Sequence, residues 1–275
     1  AFLPDTVILL VEETMDVANA VILGVLQGLT EFLPISSSGH LVIAQHYISG
    51  TTDEVFILCV HLATLAAVCI TFRQDIKHII EPLYRREAPR PVLGIRELAI
   101  GSIPAALAGV MLEDTFDAAF SSLPAVTGAL ILTGVLLYVA SRHMATHDAG
   151  PGRIGDADAF VVGVFQAAAI MPGISRSGAT IAGGILRGVS PRVATRFSFL
   201  LAIPVIGGAA LLKAPELQAV ENSSVLPYAV GMAAAFAAGM VGIRALMAVV
   251  AQGRLRLFSL YCWSVAAALL VLQVL

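Results

Sequence analysis

Residues 32–40 read FLPISSSGH, and residues 170–180 read IMPGISRSGAT. Each phrase interrupts an apolar region, 18–50 for the first and 158–190 for the second. Pro, Ser and Gly stop helices, so neither region reads as one continuous span. Neither half is long enough to cross a bilayer, whose core of about 30 Å takes about 20 helical residues. A run, a break and a second run predict a re-entrant helical hairpin. Irregular backbone at membrane depth is tolerated only where protein or a wet cavity surrounds it.

The rest of the chain supports a membrane setting. Of 275 residues, 58% are hydrophobic and 13% are charged, and the mean hydropathy is +0.89. A soluble domain carries about 25% charged residues. Six further runs are apolar and long enough to span: 54–73, 94–113, 124–141, 195–213, 226–248 and 257–275. The formal charge of −3 says nothing about nucleic acid, but no basic tract or aromatic-basic module is present, so no nucleic-acid partner is expected. Cys59, Cys69 and Cys262 lie in apolar runs with neither metal nor disulfide spacing, and read as small buried hydrophobes. The N-terminal stretch lacks a basic n-region and is not read as a cleaved signal.

Charge then tests the layout. If each hairpin returns to its own side and six helices cross, the segments 73–96, 142–157, 187–196 and 244–256 share one face. They hold all of the Lys and Arg except Arg176 and Lys213, so this face is cytoplasmic by the positive-inside rule. The opposite face carries acids from Asp5 through Asp53, Glu54 and Glu113 to Glu221, with Lys213 as its base. The hairpins therefore enter from opposite sides. The expectation is an all-α integral membrane protein with an inverted-topology repeat: six transmembrane helices plus two re-entrant helical hairpins, about ten helical segments. Residues 1–275 form one membrane domain, with 18–141 as the first repeat and 158–275 as the second.

The residues repeat as the topology does. Gly24, Val25, Gln27, Ile35, Ser36, Ser38 and Gly39 recur at a constant offset as Gly163, Val164, Gln166, Ile174, Ser175, Ser177 and Gly178. In each hairpin the returning helix starts near the Ser cluster, where Ser caps and Gly lets the backbone approach a ligand. Two helix N-termini converging at one place make an anion site, with phosphate the natural guest.

Once the loops are assigned, Glu31 and Arg176 remain as charges inside membrane-embedded segments, and a charge at depth is by default functional. A structural ion pair between the hairpins is the plainer alternative. Gln27 and Glu31 share a helix face at i, i+4. Their surroundings include Ser36, Ser37, Ser38 and His40. The halves differ here: Ile170 and Ala179 stand where Glu31 and His40 stand, and Arg176 corresponds to Ser37. One half supplies groups that move protons or hold a metal, and the other supplies a planar cationic fork suited to phosphate. Such a set fits hydrolysis of a phosphate ester or anhydride. A transporter of a lipid carrier or phosphorylated solute is the rival reading, and a scaffold with a structural Glu31–Arg176 pair is a third. His61, inside a crossing run, reads as a packing residue, and Tyr261 and Trp263 as interface-belt residues.

GVLQGLTEFLPISSSGH (24–40) and MPGISRSGAT (171–180) closely resemble the two signature motifs of the undecaprenyl-diphosphate phosphatase family, the bacitracin-resistance membrane phosphatases. RFSFLLAIP (196–204) also looks like that family, and the likeness in length and layout covers essentially the whole chain. The resemblance implies an enzyme that removes the terminal phosphate of a polyprenyl diphosphate, returning the monophosphate carrier for cell-wall or glycan assembly. It implies a divalent cation, Mg²⁺ or Ca²⁺, a multi-pass protein of the cytoplasmic membrane, and a site open to the outer face. The partners are then the lipid substrate and the bilayer, with room for a homodimer. Family functional positions fall on Gln27, Glu31, Ser37, His40, Ser175, Arg176, Ser177 and Thr180. On this reading Arg176 clamps the diphosphate with Ser175, Ser177 and Thr180, and Ser36, Ser38, Gly173 and Gly178 line the same cradle. Glu31 and Gln27 hold the metal, or Glu31 acts as base. Ser37 is the candidate nucleophile with His40 as proton partner, and a metal-bound water is the alternative attacker.

Overall fold

The computed structural model describes residues 15–44, 54–85, 92–111, 122–146, 152–213, 215 and 225–274. The expectations for loop residues such as Asp5, Asp53, Arg86, Arg90, Glu113 and Glu221 fall outside the described residues. The described chain is all helical: α1 (Val17–Phe32), α2 (Ser37–Ala44), α3 (Glu54–Thr71), α4 (Arg73–Ile80), α5 (Ile95–Met111), α6 (Leu123–Thr146), α7 (Asp156–Ala168), α8 (Arg176–Leu186), α9 (Pro191–Leu212), α10 (Val225–Ala251) and α11 (Arg256–Val274).

Local chemistry sets several boundaries. Asp16 caps α1 by accepting from the Asn19 N–H at 2.6 Å, and α1 ends at Leu33, whose extended backbone precedes Pro34. Pro191 opens α9 at the position where its missing N–H is harmless. The unanticipated α4 occupies part of the basic 73–96 segment, where Ile79 is buried and charged residues line the remainder. Its polar composition hides it from a search for apolar runs.

Five helices, α3, α6, α9, α10 and α11, are long and apolar enough to cross a membrane. The sixth expected run forms α5, which is described over 17 residues. The two interrupted regions each form two short helices with a break between them. α1 (16 residues) and α2 (8 residues) flank Leu33–Ser36, while α7 (13 residues) and α8 (11 residues) flank Ala169–Ser175. Large apolar side chains face outward along the long helices, among them Ile103, Leu107, Leu260, Leu270 and Val271, each about half exposed or more. A belt of this kind suits lipid better than water.

Glycines allow the closest helix crossings. α1 lies on α10 with Gly24 against Gly231, while a Cβ on Gly28 would stand 2.7 Å from the Ala238 Cβ and 2.8 Å from the Gly239 nitrogen. α7 lies on α5 in the same way, and a Cβ on Gly163 would stand 2.6 Å from the Gly101 carbonyl oxygen. Small residues let backbones approach where lipid offers no hydrophobic drive for helix association.

Ion pairs mark the two ends. Arg96–Asp156 (2.5 Å), Arg187–Asp158 (3.0 Å) and Arg196–Asp75 (3.4 Å) gather at one, and Lys213–Glu54 (3.3 Å) lies at the other. Gly231 meets Phe56 near the start of α3, so α1, α3 and α10 begin at the Glu54 end. α5 and α7 begin at the other, where Arg96 meets Asp156. The main core fills the middle, where Phe32 packs edge-on against Phe199 with ring centres 5.5 Å apart.

Candidate active site

The breaks after α1 and α7 meet at the centre, and they are built alike. Ser36 Oγ accepts from the Gly39 N–H at 3.1 Å, and Ser175 Oγ accepts from the Gly178 N–H at 3.1 Å. Ser36 and Ser38 hydroxyls lie 3.3 Å apart, and those of Ser175 and Ser177 3.2 Å apart. Each cap leaves the first N–H groups of α2 and α8 without an intrahelical acceptor. The tips also interlock. A Cβ on Gly39 would stand 3.2 Å from the Gly173 Cα, and one on Gly178 would stand 3.3 Å from the Pro34 ring. Ser177 Oγ donates to the Leu33 carbonyl at 3.4 Å, and Thr133 of α6 donates to the Gly173 carbonyl at 3.0 Å. Gly173 has φ +94°, a conformation open to glycine at little cost.

Glu31 is the hub. Its Oε1 accepts from Arg176 Nη2 at 2.6 Å, joining the two helix breaks. Its Oε2 accepts from Gln27 Nε2 at 3.0 Å and from the Ser37 hydroxyl at 2.7 Å. The carboxylate is buried and Arg176 nearly so, which strengthens the pair and raises the cost of removing either member. Two buried polar atoms here have no partner: Arg176 Nη1 and Gln27 Oε1. Arg176 Nη1 and the N-terminal N–H groups nearby are all hydrogen-bond donors, and a guanidinium nitrogen is chemically suited to an anionic oxygen.

The expected pairing of Ser37 with His40 differs from the geometry, which joins Ser37 to Glu31. His40 Nδ1–H donates to the Ser36 carbonyl at 2.7 Å, and its Nε2 engages the Tyr261 hydroxyl at 2.8 Å, with the two rings stacked. Both ring nitrogens are therefore engaged away from Ser37. The His40 backbone N–H binds the same Ser36 carbonyl at 3.1 Å, so His40 holds Ser36 at φ +71°, an uncommon conformation for a residue with a Cβ. Thr180 also turns aside: its hydroxyl donates to the Arg176 carbonyl at 2.8 Å and meets Ser198 of α9 at 2.6 Å. It braces the first turn of α8 instead of facing Arg176 Nη1.

Tyr261, Ser198 and His61 lie at the site but were not expected there from the sequence. Tyr261, expected at the membrane interface, supports His40, and Trp263, expected beside it, donates to the Ile131 carbonyl at 3.2 Å. Ser198 lies within the family-like 196–204 stretch, but its partnership with Thr180 had no sequence signal. His61 had one, as an ionisable residue in an apolar span. Its Nε2 stands 3.7 Å from Glu31 Oε2. Among the described residues no three His, Cys, Asp or Glu side chains gather as a metal set. Oxygen donors suited to a hard cation are nonetheless present in Glu31 and the unpartnered Gln27 Oε1. Cys59 and Cys262 are buried, Cys69 is half-buried, and none of the three is in a disulfide among the described residues.

An apolar cleft of about 640 Å³ opens between α5, α6 and α7. Ala108, Ala129, Leu132, Val164, Met171 and Ile174 form part of its wall, so it reaches the residue next to Ser175 and Arg176.

A multi-helix bundle with an apolar belt, closed on a buried arginine, carboxylate and serine set, defines a multi-pass membrane protein with a buried polar centre. The chain belongs to the family described as bacitracin resistance protein BacA, which matches residues 20–268. Curated proteins called undecaprenyl-diphosphatase resemble it over nearly their whole length. That of Syntrophotalea carbinolica is 42% identical over 253 residues, covering 90% of this chain and 96% of the relative. That of Desulforapulum autotrophicum is 40% identical, with 91% and 96% covered. That of the archaeon Korarchaeum cryptofilum is 40% identical, with 94% and 100% covered.

Proposed function

We propose that the protein hydrolyses the terminal phosphate of undecaprenyl diphosphate, giving the monophosphate lipid carrier and inorganic phosphate for reuse in cell-wall or glycan assembly. The observation that carries this reading is Glu31 held between Arg176 and the Ser37 hydroxyl, beside a free guanidinium nitrogen. The free Nη1 and the N–H groups of α2 and α8 receive the diphosphate and the charge that develops on the transferred phosphoryl group. Ser37 Oγ attacks the terminal phosphorus as its proton passes to Glu31 Oε2, 2.7 Å away, and the P–O bond to the lipid monophosphate breaks. Water then cleaves the phosphoserine and frees inorganic phosphate. In the alternative route Glu31 activates that water directly. His40 holds the Ser36 turn that presents Ser37. When protonated at Nε2 it is the proton source for the departing monophosphate, with Tyr261 as its relay. Ser36, Ser38, Ser175, Ser177, Gly173 and Gly178 shape the cradle, and Thr180 fixes the helix that carries Arg176.

Glu31 and Gln27 would hold a divalent cation, Mg²⁺ or Ca²⁺, by their oxygen atoms. Such an ion supplies charge neutralisation for the diphosphate when bound. The apolar cleft ending at Ile174 fits the first isoprene units of the lipid.

The same proposal includes six membrane crossings and two re-entrant hairpins related by an inverted repeat. Equivalent contacts support it. Gly24 and Gly163 occupy corresponding helix crossings, Gly39–Gly173 and Gly178–Pro34 are corresponding tip contacts, and Ser36 and Ser175 are corresponding caps. The packing is alike in the halves while the chemistry is not, which favours hydrolysis over a symmetric carrier. We place the protein in the cytoplasmic membrane with its site opening outward. A homodimer belongs to the proposal and is tested by the particle mass in detergent.

Phosphate release from undecaprenyl diphosphate by the purified protein in detergent tests the function. No release by wild type, or wild-type rates from both Glu31→Gln and Arg176→Lys, would sink it.

A further inference from the structure

We propose that His61 supplies a nitrogen ligand to a divalent-cation site shared with Glu31 and Gln27. This deepens the phosphatase reading and rests on it for the role of the ion. His61 lies on α3, outside both signature stretches. Its Nδ1 stands 2.8 Å from the Ile57 carbonyl oxygen, which can only accept, so Nδ1 carries the hydrogen. Nε2 faces Glu31 Oε2 at 3.7 Å. That distance exceeds a hydrogen bond. An Nε2 lone pair and a carboxylate oxygen at this separation leave room between them for a cation. Ligands about 2.1–2.3 Å from one metal ion, set at about 90–120°, lie about 3–4 Å apart, so the spacing fits.

The third donor is Gln27 Oε1. It is fully buried and has no partner, while the amide nitrogen of the same group is fixed on Glu31 Oε2 at 3.0 Å. The amide nitrogen thus anchors the side chain on the carboxylate oxygen that His61 faces. Arg176 occupies the other carboxylate oxygen, Oε1, so the ion would approach at Oε2, which already accepts from Gln27 Nε2. Ser37 donates to Oε2 as well, so the ion would lie beside the attacking hydroxyl. An imidazole nitrogen shifts preference from Ca²⁺ toward first-row metals such as Zn²⁺ and Fe²⁺, while Mn²⁺ suits the carboxylate and amide oxygens and serves as the magnetic probe.

The test is Mn²⁺ titration of the purified full-length protein in detergent. Loss of the free-ion magnetic resonance signal gives the affinity, and pulsed spectra of the bound ion report imidazole nitrogen. The expected result is nitrogen coupling that changes on ¹⁵N-histidine labelling and persists in His40→Gln. His61→Ala should abolish that coupling and weaken Mn²⁺ at least tenfold. Bound Mn²⁺ without histidine nitrogen coupling, no bound Mn²⁺, or unchanged affinity in His61→Ala would overturn the assignment. The labelled wild type decides alone if the variant does not fold. Phosphate release is read on the same samples. Release without nitrogen-coupled Mn²⁺ removes this inference only, and coupling without release removes the phosphatase reading only.

Discussion

Arg176→Lys is the sharpest single test of the site. Arg176 has two terminal nitrogens with separate tasks: Nη2 holds Glu31 Oε1 at 2.6 Å, and Nη1 is buried and free. A lysine keeps the positive charge but offers one nitrogen, so it can hold the carboxylate or reach the phosphate, not both. Losing one preorganised donor to a developing oxyanion costs about 2.7–4 kcal/mol, which corresponds to roughly a 10²–10³-fold fall in kcat. Stability should change little, because the buried carboxylate still has a cationic neighbour. Arg176→Met is the contrast, since it strands Glu31 and should destabilise by about 3–5 kcal/mol. Adding Glu31→Gln to Arg176→Met should recover much of that stability and none of the activity. The assay pairs phosphate release with thermal unfolding in detergent. Arg176→Lys within about threefold of wild type, at matched folding, would refute the assignment of Nη1 to the phosphate. Loss of fold in Arg176→Lys would instead mark the pair as purely structural.

Other perturbations probe separate links. Ser37→Ala removes the hydroxyl bound to Glu31; on the covalent route it should abolish both turnover and a phosphoserine trapped by acid quench, and near-normal turnover would leave direct attack by water. Tyr261→Phe removes one neutral hydrogen bond to His40, so about 0.5–1.5 kcal/mol, or a roughly 2–10-fold loss of kcat, is expected with Tm nearly unchanged. A loss above a hundredfold would show that Tyr261 does more than relay. Gly28→Ala places a methyl group 2.7 Å from the Ala238 Cβ where α1 crosses α10. Overpacking there should cost about 1–3 kcal/mol, and an unchanged Tm would mean that the crossing can open freely.

The sequence shows the breaks plainly. Pro34 and Pro172 with their following serines end α1 and α7 by local backbone rules, and the helix boundaries follow them to within a few residues. The long helices are equally legible, because a bilayer-length apolar run carries a strong signal. α4 is not, because a short polar helix owes its existence to what it packs against. Within the site, Glu31 and Arg176 stand out as charges in apolar sequence, but their 2.6 Å contact joins helices far apart in the chain. The identity of the Ser37 partner is likewise a matter of distance, and proximity in sequence points to His40 when the carboxylate is the nearer group.

The sequence by itself determined the membrane class, the two interrupted regions and the residue types at their tips. Each depends on local composition: apolar length, proline and glycine backbone limits, and serine capping. Only the tertiary structure decided which groups share protons and charge. Glu31 collects Gln27 and Ser37 from α1 and α2, Arg176 from α8, and the facing His61 from α3, while His40 turns to Tyr261. Those partnerships depend on how helices from distant parts of the chain cross at glycine contacts, and side-chain distances at such crossings are not encoded in any single segment.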